Sequence, residues 1–161
     1  MKMSLKRLFY VAAMAMLVSL AGATGIRAQD SDSRKQEHES QKSVASKSAK
    51  FETVAKSDKL YTDAIDAHDL SKAEKMAGDK GAFHGKVAKL FTPRGGSVVI
   101  LNFDDDYKSA LTAVVKASDF SKFPDLSQLV GKQVVVSGQF TEFKGAAQIV
   151  MSDPKQLSLV K

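Results

Sequence analysis

Three groups of side chains have the types and spacing that bear on chemistry. Asp63, Asp66, His68 and Asp69 place three carboxylates around one imidazole. Asp104, Asp105 and Asp106 run consecutively. The stretches "FTPRGG" and "TEFKGA" each set an aromatic ring beside a cation, Phe91 with Arg94 and Phe143 with Lys144. The acidic groups suggest a divalent ion, because hard cations take several oxygen ligands. In an extended segment, however, adjacent side chains diverge, so Asp104 to Asp106 read as a solvated turn. The alternative is a loop folded around Ca²⁺ with backbone carbonyls. The Asp63 to Asp69 group reads as a polar face and turn that caps local structure. No metal ligand is assigned in either group.

Catalytic constellations are equally sparse. The chain has no Cys, which excludes a thiol nucleophile, a zinc–thiolate site and a redox pair. Ser97, Ser109 and Ser137 have no base in a matching pattern. His38 lies in a polar stretch, and His84 falls opposite the core face of its strand, which makes it a surface residue. We therefore expect no enzyme, no catalytic residue and no cofactor. The aromatic–cation pairs remain. They suit single-stranded nucleic acid, because bases stack on aromatic faces while cations follow the phosphates.

Segments of unequal character frame these groups. Lys2, Lys6 and Arg7 precede an apolar run from Leu8 to Ala21, and small residues follow at Ala21-Gly22-Ala23 and Ala28-Gln29. That is the order of a secretory signal peptide over 1–28, cleaved after Ala23 or Ala28. The run of 14 residues is short of the roughly 20 that span a bilayer. No stable membrane insertion is expected after cleavage. No Cys follows the run, so a lipid-anchored form is excluded. The expected location is secreted or periplasmic.

Processing changes the charge argument. The chain is +6, but residues 1–28 hold four of its 24 basic residues and none of its 18 acidic ones. Residues 29–161 are close to neutral, with 20 basic and 18 acidic side chains. Bulk basicity is therefore a weak argument for nucleic acid. Residues 29–59 begin with Ser, Lys, Glu and Gln and little apolar content, which reads as a flexible linker. The domain is expected over 60–161. It opens with a short helix from about 72 to 77, with Ser71 and Glu74 as a capping box and Gly78 as the C-cap.

From Ala82 the apolar period becomes two. Strand one carries Phe83, Gly85 and Val87, with Leu90 in phase after a bulge. A Pro93-Arg94-Gly95-Gly96 turn follows. Strand two alternates Val99, Leu101 and Phe103; strand three alternates Leu111, Ala113 and Val115. "SDFSKFPDLSQL" interrupts as a loop with a helical turn. Strands four and five carry Val134, Val136, Gly138 and Phe140, then Ala147, Ile149 and Met151. Five strands in this order, with a glycine-bent first strand, predict an all-β, five-stranded OB-fold barrel over about 82–161 with a short N-terminal helical segment.

The same stretches resemble a family. "FHGKVAKL", "GSVVILNF", "LTAVVKASDFSKF" and "LVGKQVVVSGQFTEFKGAAQIVMSDPKQLSLV" are similar to small exported bacterial OB-fold proteins described as nuclease-like or nucleic-acid-binding OB domains. The resemblance covers about 64–161. It implies an architecture shared with thermonuclease, whose phosphodiester chemistry needs metal-binding carboxylates and arginines. Arg94 is the single arginine after residue 34, so the resemblance implies fold and not nuclease activity.

OB-folds bind ligands across strands two and three and between loops one–two and four–five. The expected ligand residues are Phe91 and Arg94, Phe143 and Lys144, Lys86, Lys89 and Lys116 along the strands, and Tyr107. The expected ligand is single-stranded nucleic acid or another polyanion. The alternative is an envelope protein partner, suggested by Val98 and Ile100, which are apolar on the face opposite Val99 and Leu101.

Overall fold

The computed structural model describes residues 41–161. The expected signal peptide, His38 and the linker up to residue 40 lie outside the described residues. Among those described, no helix is long and apolar enough to cross a membrane. The fold is mostly β: one strongly curled sheet of nine strands, with few short helices among the described residues.

In chain order the elements are β1 (Glu52–Val54), α1 (Lys59–Thr62), β2 (Ile65–Asp66), α2 (Leu70–Lys75), β3 (Lys80–Lys86), β4 (Lys89–Phe91), β5 (Val98–Asn102) and β6 (Thr112–Lys116). Two 3-10 helices, Ala117–Lys122 and Leu126–Leu129, precede β7 (Gln133–Phe143) and β8 (Ala146–Met151). A last 3-10 turn, Pro154–Gln156, leads into β9 (Leu157–Val160). The hydrogen-bonded order is β1-β9-β7-β8-β6-β5-β4, with β3 on β7 and β2 on β3.

The period-two stretches all become strands, but the first divides. β3 pairs with β7 and β4 pairs with β5, and only Val87 and Ala88 separate them. The chain thus passes from one part of the curled sheet to another at this bend. Gly85 lies just before it, where a Cβ would stand 2.7 Å from Phe103 Cδ1 and 2.8 Å from Ala67 Cβ. Glycine is required there by close approach rather than by an unusual φ.

The helix also differs from expectation. Its N-cap is Asp69, whose carboxylate accepts from Lys72 N–H at 3.2 Å and pairs with Lys72 Nζ at 2.8 Å. That double contact starts the helix two residues before the expected first residue, Lys72. Its C-cap is Met76. Gly78, at φ +93°, donates its N–H to Phe140 O at 2.8 Å and turns the chain toward β3.

Residues 41–59, read from sequence as part of a linker, make specific contacts. β1 pairs in parallel with β9, Ser46 N–H donates to Phe123 O at 2.9 Å, and Gln41 is buried. Composition hides this, because backbone ladders need no apolar side chains.

The core lies on the concave side of the sheet. Phe83 meets Phe103 edge-on at 4.9 Å between ring centroids, and Phe140, Leu101 and Ile149 are fully buried. The excursion after β6 contributes Phe120, Phe123, Leu126 and Leu129, all buried. β5 is not buried equally on both faces. Val99 and Leu101 are buried, while Val98 and Ile100 are half-buried on the other side.

Candidate ligand-binding groove

On that other side lies a groove of about 780 Å³. Its floor is the outer face of β4, β5, β6 and β8, and its walls come from three places. Leu70 and Glu74 of α2 stand on one side, Tyr107 and Lys108 come from the loop joining β5 and β6, and the β7–β8 turn brings Phe143 and Lys144.

The structure brings five of the eight expected ligand residues together here: Lys89, Phe91, Tyr107, Phe143 and Lys144. Three rings in the groove are exposed, Phe91 at 48%, Tyr107 at 56% and Phe143 at 59%, so none of them plugs the core. Cations lie over two of the rings, Lys144 Nζ at 5.4 Å from the Phe143 centroid and Lys108 Nζ at 5.8 Å from that of Tyr107. Lys144 reaches its place from a left-handed backbone conformation at φ +53°, beside Gly145 in the β7–β8 turn.

The other three residues do not line the groove. Lys86 ends β3 opposite Gln133 of β7, Lys116 ends β6 opposite Val98, and Arg94 is exposed at the tip of the turn after β4. Lys116 shares the face of Thr112 but lies beyond the end of the groove, and residue type does not encode how far along the strands the groove runs.

Sequence reasoning missed the polar floor. Asn102, Thr112 and Gln148 line the groove from β5, β6 and β8, and Thr92 lines it from the end of β4. The available signal was the alternation itself: residues out of phase with Leu101, Ala113 and Ile149 share the opposite face. The Thr92 hydroxyl is buried and has no hydrogen-bond partner among the described residues.

The acidic groups take up local duties. Asp104 Oδ1 accepts from Asp106 N–H at 2.8 Å, Asp106 Oδ1 accepts from Lys108 N–H at 3.0 Å, and Lys89 Nζ donates to Asp105 O at 2.6 Å. The backbone N–H of Asp106, then the His68 ring, holds the Asp104 carboxyl below the usual carboxylate range. His68 is held between Asp66 Oδ1 at 3.0 Å and Asp104 Oδ2 at 3.3 Å. Among the described residues no group of three or more His, Asp or Glu side chains is placed to hold a metal ion.

His84 is not the surface residue expected from its strand face. Its side chain is 20% exposed and stacks on Tyr61 at 4.5 Å between ring centroids. The ring of Tyr61, just after the start of α1, covers the outer face of β3 at this point.

No family model matches the sequence, and no curated protein matches it. Among solved structures, the chain is similar to an aspartyl tRNA synthetase from Entamoeba histolytica, with 11% identity and a TM-score of 0.46 over 71% of this chain. The match spans 26% of the synthetase, about a quarter of its length. It is also similar to the OBody AM1L10 bound to hen egg-white lysozyme, with 22% identity and a TM-score of 0.37 over 53% of this chain and 81% of that one. At these TM-scores neither likeness says what this chain binds.

Proposed function

We propose that β3 and β4 act as one bent strand, that with β5, β6, β7 and β8 they form an OB-type barrel, and that its outer groove binds single-stranded nucleic acid without catalysis. The pairing order supports the barrel: β4 with β5, β5 with β6, β6 with β8 in parallel, β8 with β7, and β7 back to β3. The N-terminal pattern of Lys2, Lys6, Arg7 and the apolar run supports an exported protein.

One observation carries the binding reading. Phe91, Tyr107 and Phe143 expose their rings in a single groove that also holds Lys89, Lys108 and Lys144. Rings offer a stacking surface to any base, at about 1–3 kcal/mol per base. Lysines offer charge to the phosphates and displace counterions. Among the described residues, Glu74 is the one acidic side chain in the lining. A protein partner in the envelope is the second reading, favoured by Leu90, Phe91 and Ile100, which form an apolar strip along the same groove.

A titration of the purified protein against a labelled single-stranded oligonucleotide at roughly 50 and 200 mM salt separates the two. Saturable binding that weakens steeply with salt, and that falls in Phe91→Ala and Phe143→Ala, is expected. Absence of binding at the lower salt sinks the nucleic-acid reading and favours a protein partner.

A further inference from the structure

We infer that His68 is a proton-operated latch between two walls of the groove, so that acid tightens its hold on single-stranded nucleic acid. The inference rests on the nucleic-acid reading above and adds regulation to it. His68 stands where the walls meet. It lies just ahead of Leu70, which with Glu74 forms the α2 wall. Its Nε2 lies 3.3 Å from Oδ2 of Asp104, in the loop that carries Tyr107 and Lys108 to the other wall. Its Nδ1 lies 3.0 Å from Oδ1 of Asp66. Among the described residues no histidine lines the groove, so His68 acts on a ligand through the walls, as a positioning residue.

The chemistry of the ring sets the direction. An imidazolium donates from both nitrogens, a neutral imidazole from one. In acid the ring therefore binds both carboxylates at once. In base a single proton remains, and the shorter contact, to Asp66, keeps it. Nε2 then turns a lone pair on the Asp104 carboxylate, and the tie to the Tyr107 loop opens. That loop is coupled to the carboxylate by its own turns: Asp104 Oδ1 accepts from Asp106 N–H at 2.8 Å, and Asp106 Oδ1 accepts from Lys108 N–H at 3.0 Å. The proton's charge acts in the same sense, since a positive ring beside the groove favours a polyanion.

The surroundings leave His68 as the group that switches. Asp66 also faces His84 of β3, but its Oδ2 is 3.8 Å from His84 Nδ1, which is buried and has no hydrogen-bond partner among the described residues. Tyr61 of α1 stacks on the His84 ring. Asp69 and Lys72, at the start of α2, pair with each other at 2.8 Å, and Lys89 Nζ is held by Asp105 O. In the backbone, Ala67 N–H donates to His84 O at 2.9 Å and Ala67 O accepts from Leu111 N–H at 2.7 Å. Those bonds do not titrate, so only the side-chain tie responds to pH. His68 is 51% exposed and exchanges its proton freely with solvent. The bond to Asp66, with Asp104 adding to it, raises the ring's pKa and brings the switch toward neutral pH.

The test is a fluorescence titration of the full protein with labelled oligo(dT), whose base does not titrate near neutrality, at about pH 5.5 and about pH 8.5, on either side of the His range. We expect the wild type to bind about threefold tighter at the lower pH, the size that an exposed ion pair allows. His68→Ala should bind at both pH values as the wild type does at the higher. Asp104→Asn should bind at the higher pH as the wild type does at the lower, because its carboxamide donates to the neutral ring and still accepts from Asp106 N–H. Thermal melts at both pH values confirm that the variants fold. Linkage is reciprocal, so saturating oligo(dT) should move the NMR titration of the His68 ring to higher pH. Equal wild-type affinity at the two pH values overturns the latch and leaves the groove reading intact. An acid effect that persists in His68→Ala belongs to another group and overturns it too. Failure to bind oligo(dT) at either pH removes the inference together with the reading beneath it.

Discussion

Nε2 of His68 lies 3.3 Å from Oδ2 of Asp104, joining segments 36 positions apart in the chain. The other ring nitrogen, Nδ1, lies 3.0 Å from Asp66 Oδ1. An imidazole donates from both nitrogens only when it is protonated. The hydrogen bond to Asp66 is the main cause that raises the His68 pKa, with Asp104 adding to it. Asp66 in turn is lowered, chiefly by the backbone N–H of His68. In its protonated form the ring donates to both carboxylates and ties the loop ahead of α2 to the loop between β5 and β6, one wall of the groove.

The pH dependence follows from that direction. A raised folded-state pKa contributes stability that is fully present below the ordinary His value of about 6.5, and loses it as pH rises through the raised value. His68→Ala should therefore lower the melting temperature at about pH 5 and leave it nearly unchanged at about pH 9. The effect is small, because the side chain is 51% exposed and solvent screens the pair. Thermal melts at the two pH values check it, with an NMR titration of the ring. An equal loss at both would mean that His68 acts through packing rather than charge.

Gly85→Ala tests the bend between β3 and β4. The new methyl would meet Ala67 Cβ at 2.8 Å, and Ala67 is fully buried with no flexible side chain to yield. Overpacking of this kind costs about 1–3 kcal/mol. Denaturant unfolding should show a lower midpoint with an unchanged slope. A wild-type midpoint would show that β2 and β5 can give way around the bend.

Thr92→Val should act in the opposite direction. The Thr92 hydroxyl is buried without a partner among the described residues, and valine keeps the shape while removing the polar group. Leaving such a group unpaired costs about 1–3 kcal/mol, so the variant should be more stable by a good part of that. Thermal unfolding measures the gain. A loss of stability would mean that the hydroxyl finds a water or ligand in the groove.

Much of this arrangement was legible in the residues. The alternation of Val99 with Leu101, and of Val134 with Val136, sets those strands and their buried faces. Phe91 and Phe143 announced themselves by sitting beside cations in turns. The groove floor was harder, because Asn102, Thr112 and Gln148 stand 10 and 36 positions apart and become neighbours only through strand pairing. The parallel pairing of β6 with β8 has no local signal. Lys86, Arg94 and Lys116 fail for the matching reason: cationic type is visible in sequence, but which cations border the groove is decided by strand pairing. β1 escaped notice because "ETV" is too short to show a period.

Gln41 carries the clearest consequence of what composition concealed. Its Nε2 donates to Pro124 O at 3.0 Å and its Oε1 accepts from Leu126 N–H at 3.1 Å, and the residue is 3% exposed. One side chain thereby satisfies two backbone groups of the turn between the 3-10 helices that carry Phe123 and Leu126 into the core. Gln41→Ala leaves both groups unpaired, at about 1–3 kcal/mol for each that stays shielded from water. Gln41→Glu keeps the acceptor and sets a charge against Pro124 O, so it should rescue only the Leu126 contact. Hydrogen exchange at Leu126 separates the variants: fast in Gln41→Ala, slow in Gln41→Glu and in the wild type. If Gln41→Ala unfolds at the wild-type midpoint and Leu126 stays protected, the Gln41 side chain adds nothing to the stability of this turn.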